Sequence, residues 1–120
     1  MTRVTVVNRS RGTVLGDRVG LAATRWTRLR GFLARPMPRS GEGLLFLPSK
    51  GVHMYGMRYP LDVLLLDESG RVLSAYPALR PWKRTPLLPR ARAALEVPVG
   101  RIAATQTREG DLLEWRRGAP

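Results

Sequence analysis

The chain contains no cysteine. That removes disulfide scaffolds, thiolate zinc sites and thiol catalysis, and it is compatible with a reducing cytoplasm. Acidic residues are scarce: nine Asp and Glu stand against 21 Lys and Arg in 120 residues, a formal net charge of +12. Aromatic residues make up only 7% of the chain, and no stretch of it interleaves them with cations as a nucleic-acid platform would. No apolar run is long enough to span a bilayer, and the opening residues MTRVTVVNRSRG hold no apolar signal core. The expectation is a soluble, cytoplasmic protein. Nucleophile and nucleotide motifs of the G-x-S-x-G, P-loop and H-E-x-x-H kinds are absent as well.

What is present fits one globular domain spanning 1–120, with 43% hydrophobic residues and a tail over 116–120 that reads as loose. The positive charge suits an anionic partner such as nucleic acid, a phosphorylated ligand or an acidic membrane surface. The basic residues are nevertheless scattered, and all but Lys50 and Lys83 are arginine, which fits a solvated basic surface equally well.

Val and Thr enrichment predicts a strand over 3–8, a turn through Gly12 and a returning arm over 13–19 bent near Gly16 and Asp17. Ala22, Trp26, Leu29 and Leu33 share one face of a helix, with Thr24 as its N-cap and Pro36 and Pro38 beyond its end; the helix is set at about 24–33. A short apolar strand follows over 44–47. Leu61–Leu66 is apolar except for Asp62, the pattern of a strand covered on both faces, and reads as the central strand. Asp67, Glu68, Ser69 and Gly70 form a hairpin signature that returns over 71–76. Four prolines then punctuate a long connection around Trp82. A strand over 91–97, a helical turn over 102–105, a turn at 109–111 and a last strand over 112–115 complete the chain.

His53 is the only histidine, and with Asp62 it forms the candidate catalytic pair. A carboxylate orients an imidazole for general acid or base work, and the same pair serves equally as a buried structural hydrogen bond. His53 with Met54 and Met57 has the ligand types of a soft-metal site, but on a strand 53 and 54 face opposite ways and methionine fills cores. No metal and no cofactor are expected. Asp62 and Glu96 are the carboxylates embedded in apolar strands, and Arg58 is the nearest candidate cation. Trp82 beside Lys83 and Arg84 suits a stacked base, a sugar ring or a lid. The candidate ligand-binding set is therefore His53, Arg58, Asp62, Trp82 and Glu96.

The stretch His53, Met54, Met57, Arg58, Pro60, Leu61, Asp62, Val63 to Leu66, Asp67, Gly70 resembles the signature of the bacterial and archaeal domain-of-unknown-function family 192. The likeness extends to Trp26, Arg28, Arg30 and Gly31 with Phe32 in a usual leucine position. It continues in Pro81-Trp82-Lys83, in Leu95 to Gly100 and in Gly110-Asp111. The resemblance implies a compact, mostly β barrel or sandwich with one or two short helices, and it implies no reaction.

The expected architecture is mainly β (α+β by content). It is a small, closed or partly open antiparallel barrel or sandwich with one amphipathic helix and short helical turns. The expected function is a non-catalytic ligand-binding or accessory domain with a polar site at one barrel end, its partner an unknown small molecule or protein. The alternatives are nucleic-acid binding through the arginine-rich surface, and a small hydrolase or isomerase using His53 and Asp62.

Overall fold

The alternating Val and Thr residues near the N-terminus form β1 (Arg3–Asn8), which turns at Gly12 into β2 (Thr13–Ala22). β2 is three residues longer than its pattern predicts. The expected bend is a bulge: Val4 pairs with Val19 and Val6 with Gly16, so Asp17 and Arg18 oppose a single residue. The computed structural model describes residues 2–22 and 37–118. The predicted helix over 24–33, with Trp26, Leu29 and Leu33, lies outside the described residues.

β3 (Glu42–Phe46), β4 (Leu61–Leu66), β5 (Val72–Leu79), β6 (Ala93–Val97), a single-turn helix α1 (Arg101–Thr105) and β7 (Leu113–Arg116) follow. The sheet order is β5-β4-β6-β3-β2-β1-β7. All neighbours are antiparallel except β2 and β3, which run parallel. A parallel pair cannot be joined by a tight turn, and 19 residues, 23–41, lie between β2 and β3 in the chain. The mainly β architecture stands, as a mixed seven-stranded half-barrel. Arg116, assigned from sequence to the tail, pairs with Thr5 at the end of β7.

The sheet curls until its outer strands meet at one end. Arg71 and Leu112 form a bridge, the Val72 N–H donates to the Asp111 carbonyl at 2.8 Å, and the Leu113 N–H donates to the Gly70 carbonyl at 2.9 Å. Gly70 makes this approach possible: its φ is 92°, and a Cβ there would lie 2.4 Å from the Leu113 carbonyl oxygen.

Inside the curl, Val4, Val6, Leu15, Val19, Leu45, Leu64, Leu66, Leu95, Val97 and Leu113 are packed together, with Ile102 of α1. A second apolar layer lies on the outer face, where Leu61, Val63, Leu65, Ala94 and Leu44 pack beneath Val52, Met54 and Tyr59. β4 is thus buried on both faces, as its unbroken apolar run predicts. It is not central, however. β3 occupies the middle of the sheet, and β4 lies one strand from the edge, covered outside by the chain that precedes it.

Polar groups also enter the interior at the β1–β2 end. Asp111 is buried, and its Oδ2 accepts from Asn8 Nδ2 at 3.0 Å, from Arg11 Nε at 3.1 Å and from the Arg108 N–H at 3.1 Å. Burial pushes the carboxyl up, but the bonds from Asn8, Arg11 and the Arg108 backbone outweigh it and hold the group below the usual aspartate range. A depressed pKa contributes stability above the unfolded-state value, and that contribution is lost as pH falls through the folded-state value. Equilibrium urea unfolding should therefore show stability declining on acidification below about pH 5. Asp111→Asn should lose about 2 kcal/mol at neutral pH and show a shallower acid decline. An unchanged acid profile in the variant would refute this assignment.

Candidate functional site

The residues that cover the outer face come from two connections, 48–60 and 80–92. They run side by side as a short antiparallel ribbon. The Met54 N–H donates to the Lys83 carbonyl at 2.7 Å and the Thr85 N–H to the Val52 carbonyl at 2.9 Å, flanking the bridge between His53 and Arg84. This bond pattern makes His53 and Arg84 a non-hydrogen-bonded pair, the kind whose Cα atoms approach to about 4.5 Å with side chains on one face. The ribbon continues to the Leu88 N–H, which donates to the Lys50 carbonyl at 2.9 Å. Gly51 permits the close approach, since a Cβ would sit 2.8 Å from the Pro86 carbonyl oxygen.

Alternation then sorts the side chains. Val52, Met54 and Thr85 point inward and are buried, whereas His53, Tyr55 and Arg84 point outward and are exposed. The outward rings form a ladder. His53 stacks on Tyr55 with centroids 4.6 Å apart and planes 22° from parallel, and Tyr55 on Trp82 at 6.2 Å and 24°. Trp82 is 68% exposed and Tyr55 44%.

The backbone at Trp82 is held in a strained form. Arg80-Pro81-Trp82-Lys83 is a turn closed by the Lys83 N–H to the Arg80 carbonyl at 3.2 Å, with φ of 68° at Trp82. Proline at the second position and positive φ at the third describe a type II turn, whose third position favours glycine. The Trp82 N–H is fastened to the Met54 carbonyl at 2.8 Å. An indole in that position keeps little of its surface buried, so its own packing does not repay a cost of about 1 kcal/mol for the conformation.

The other expected site residues go elsewhere. Asp62 is 1% exposed at the start of β4, and both carboxylate oxygens are engaged by backbone. Oδ1 accepts from the Ala78 N–H at 2.8 Å, and Oδ2 from the N–H groups of Gly100 at 3.1 Å and Ile102 at 2.9 Å. Gly100 is the N-cap of α1 and has no side chain to cap with. Asp62 supplies the cap from a distant strand. Its carboxylate also steadies Ala78, which has a φ of 49° in β5.

Asp62 opposes Val97 and so faces the interior, whereas Glu96 opposes Val63 and Leu44 on the outer layer. The two carboxylates thus lie on opposite faces of the sheet and do not line one pocket. Glu96 is buried at 3% exposure, and Arg58 is exposed in the 48–60 connection. The structure therefore joins His53 to Trp82 through Tyr55, and directs Asp62 to the fold. Sequence reasoning missed Tyr55 and the pairing of Arg84 with His53. The i, i+2 spacing of His53 with Tyr55 and of Trp82 with Arg84 was a visible signal, but their register across two distant loops was not.

Fold and ribbon together define a small half-barrel domain with an aromatic and cationic strip on its outer side. The chain belongs to DUF192, described as "Uncharacterized ACR, COG1430", whose family model matches residues 6–115. A UPF0127 protein of Thermococcus sibiricus is 33% identical over 116 residues, covering 92% of this chain and 73% of its own. One of Thermococcus gammatolerans is 32% identical, covering 92% and 74%. Among solved structures, a protein of unknown function from Novosphingobium aromaticivorans superposes with a TM-score of 0.78 at 28% identity, over 95% of this chain and 84% of its own. A proposed transcription regulator from Sinorhizobium meliloti gives 0.73 at 25%, over 94% and 92%. No helix among the described residues is long and apolar enough to cross a membrane.

Two outcomes check these roles. Asp62→Ala leaves one buried and two partly buried N–H donors without their acceptor and should cost about 2 kcal/mol, while His53→Ala should change stability by about 0.5 kcal/mol or less. Equal losses in chemical denaturation would contradict the division. At position 82, Trp82→Gly should be more stable than Trp82→Ala by about 1 kcal/mol, since only glycine meets the positive φ without strain. An alanine variant as stable as the glycine variant would remove the argument for strain.

Proposed function

We propose that the protein is a non-catalytic binding domain of the cytoplasm, and that its ligand is an anion carrying a flat ring that stacks on the His53, Tyr55 and Trp82 ladder. The observation that carries this reading is the ladder itself: three near-parallel rings on a hydrogen-bonded ribbon, largely open to solvent, with Arg84 directly opposite His53. Trp82, 68% exposed at the end of the ladder, offers a π-face to a ligand, and a guanidinium or ammonium beside it neutralises the ligand's negative group. Strain at Trp82 supports the same reading, because conformations that cost the fold persist where they serve a site.

Support for binding rather than catalysis comes from Asp62. A hydrolase or isomerase built on His53 and Asp62 needs that carboxylate free to orient the imidazole, and its oxygens are committed to three backbone amides. The binding residues are then His53, Tyr55, Trp82, Lys83 and Arg84, with Arg58 on the adjoining loop.

The test is titration with adenosine monophosphate, adenosine and ribose 5-phosphate, followed by the indole N–H resonances. Adenosine monophosphate should bind most tightly because it alone has both ring and charge. Trp82→Gly should weaken it about five-fold or more, the lower end of what one stacked base contributes. Ribose 5-phosphate binding as well as the nucleotide, or Trp82→Gly binding like wild type, would overturn the proposal.

A further inference from the structure

We infer that the ligand of this ribbon is a single-stranded nucleic acid held without marked sequence preference, an inference that rests on the ladder being a binding surface. The first ground is charge. The connections that form the ribbon contain Lys50, Arg58, Arg80, Lys83 and Arg84, every one exposed; Arg90 and Arg92, beyond the ribbon's last bond, lie beside Asp67 and Glu68 instead. Neither contains an acid: no Asp or Glu occurs over 43–61 or over 69–95. The ion pairs among the described residues join Arg9 to Glu114, Arg11 to Asp111 and Arg18 to Asp17, and use no cation of the ribbon. A mononucleotide needs one or two of these charges. A string of them along a ribbon whose bonds run from Met54 to Leu88 suits a chain of phosphates.

The second ground is the geometry of the rings. Bases in a duplex are already stacked on one another, so rings standing on a surface strip reach only their edges. A strand with splayed bases presents free π-faces, and it can continue the stack that His53, Tyr55 and Trp82 begin. The third ground is what the ribbon omits. Connections 48–60 and 80–92 contain no Asn, Gln, Asp or Glu. Those are the side chains that pair with adenine edges or accept from cytosine, so these two bases find no such partner and recognition falls mainly to ring faces and phosphates. An acidic membrane surface would also attract the cations. The paired, near-parallel planes of the ladder favour stacking over insertion of single apolar tips.

The experiment measures fluorescence anisotropy of labelled oligonucleotides of roughly twelve residues, a length within the footprint of known single-strand binders. The arms are oligo-dT, an unstructured RNA, a duplex hairpin of equal phosphate number, inorganic polyphosphate as competitor, and vesicles of phosphatidylcholine with phosphatidylserine. Both single strands should bind about ten-fold or more tightly than the duplex, and polyphosphate should compete poorly. Affinity should fall steeply between about 50 and about 200 mM salt. Trp82→Gly, which suits the backbone at that position, should weaken single strands about ten-fold while scarcely changing the duplex. Arg84→Ala should flatten the salt dependence.

Duplex or polyphosphate binding equal to single strands, tighter binding to vesicles, or an unaffected Trp82→Gly variant would each overturn the inference. If adenosine monophosphate binds through Trp82 and the oligonucleotides bind no more tightly than it does, the nucleic-acid inference fails and the ring-binding site stands. If neither binds, both fall.

Discussion

One buried carboxylate ties three parts of this fold together. Asp62, the second residue of β4, faces the interior and accepts hydrogen bonds from β5 at Ala78 and from the N-terminal turn of α1 at Gly100 and Ile102. A carboxyl group in such a place is tolerable only when its oxygens are filled, and here backbone amides fill them. The dependence runs both ways. α1 is a single turn with no capping side chain of its own, too short to persist without an outside acceptor, and it places Ile102 in the interior. Ala78 keeps a left-handed backbone next to Pro77 because its amide is held from the neighbouring strand. The register that turns Asp62 inward also turns Leu61, Val63 and Leu65 outward, so the outer apolar layer follows from the same alternation.

That outer layer explains why the candidate site exists where it does. β4 and β6 expose an apolar face away from the half-barrel interior, and the 48–60 connection covers it with Val52, Met54 and Tyr59. In an extended ribbon every buried residue forces its neighbour outward. Burying Val52 and Met54 therefore presents His53 and Tyr55 to solvent, and the paired segment adds Trp82 and Arg84. The surface strip is the reverse side of a packing requirement, fixed by ladder hydrogen bonds rather than by its own contacts. Only Trp82 departs from this economy, since its turn would close more easily with glycine.

Much of this was legible in the residues. Strand positions and the alternation of Ala93, Leu95 and Val97 against Ala94 and Glu96 follow from period-two patterning, and Asp67 to Gly70 announces its turn. The doubly buried nature of Leu61–Leu66 was legible too, whereas its place in the sheet was not. An apolar run reports that both faces are covered, and says nothing of whether strands or loops cover them. The site was less legible for a related reason. Asp62 and Glu96 look alike as acids in apolar strands, yet one residue of register sends them to opposite faces. His53 and Asp62 are near in sequence but are separated by function, because a carboxylate partner could not be told from backbone amides sixteen to forty residues away in the chain.

The same partition bears on the charge of the molecule. Of nine acidic residues, Asp62, Glu96 and Asp111 are buried, so only six remain to offset the exposed cations among the described residues. Burial of carboxylates makes the exterior more positive than composition alone suggests, and the two ribbon connections contain no acid of their own. A scattered arginine excess then acquires direction: the fold withdraws negative charge toward the interior and lays rings and cations along one outer strip. In the proposed nucleic-acid role, long-range attraction draws polyanions to such a surface and short-range stacking selects among them. The first effect weakens with salt while the second does not, so the two contributions can be separated by ionic strength.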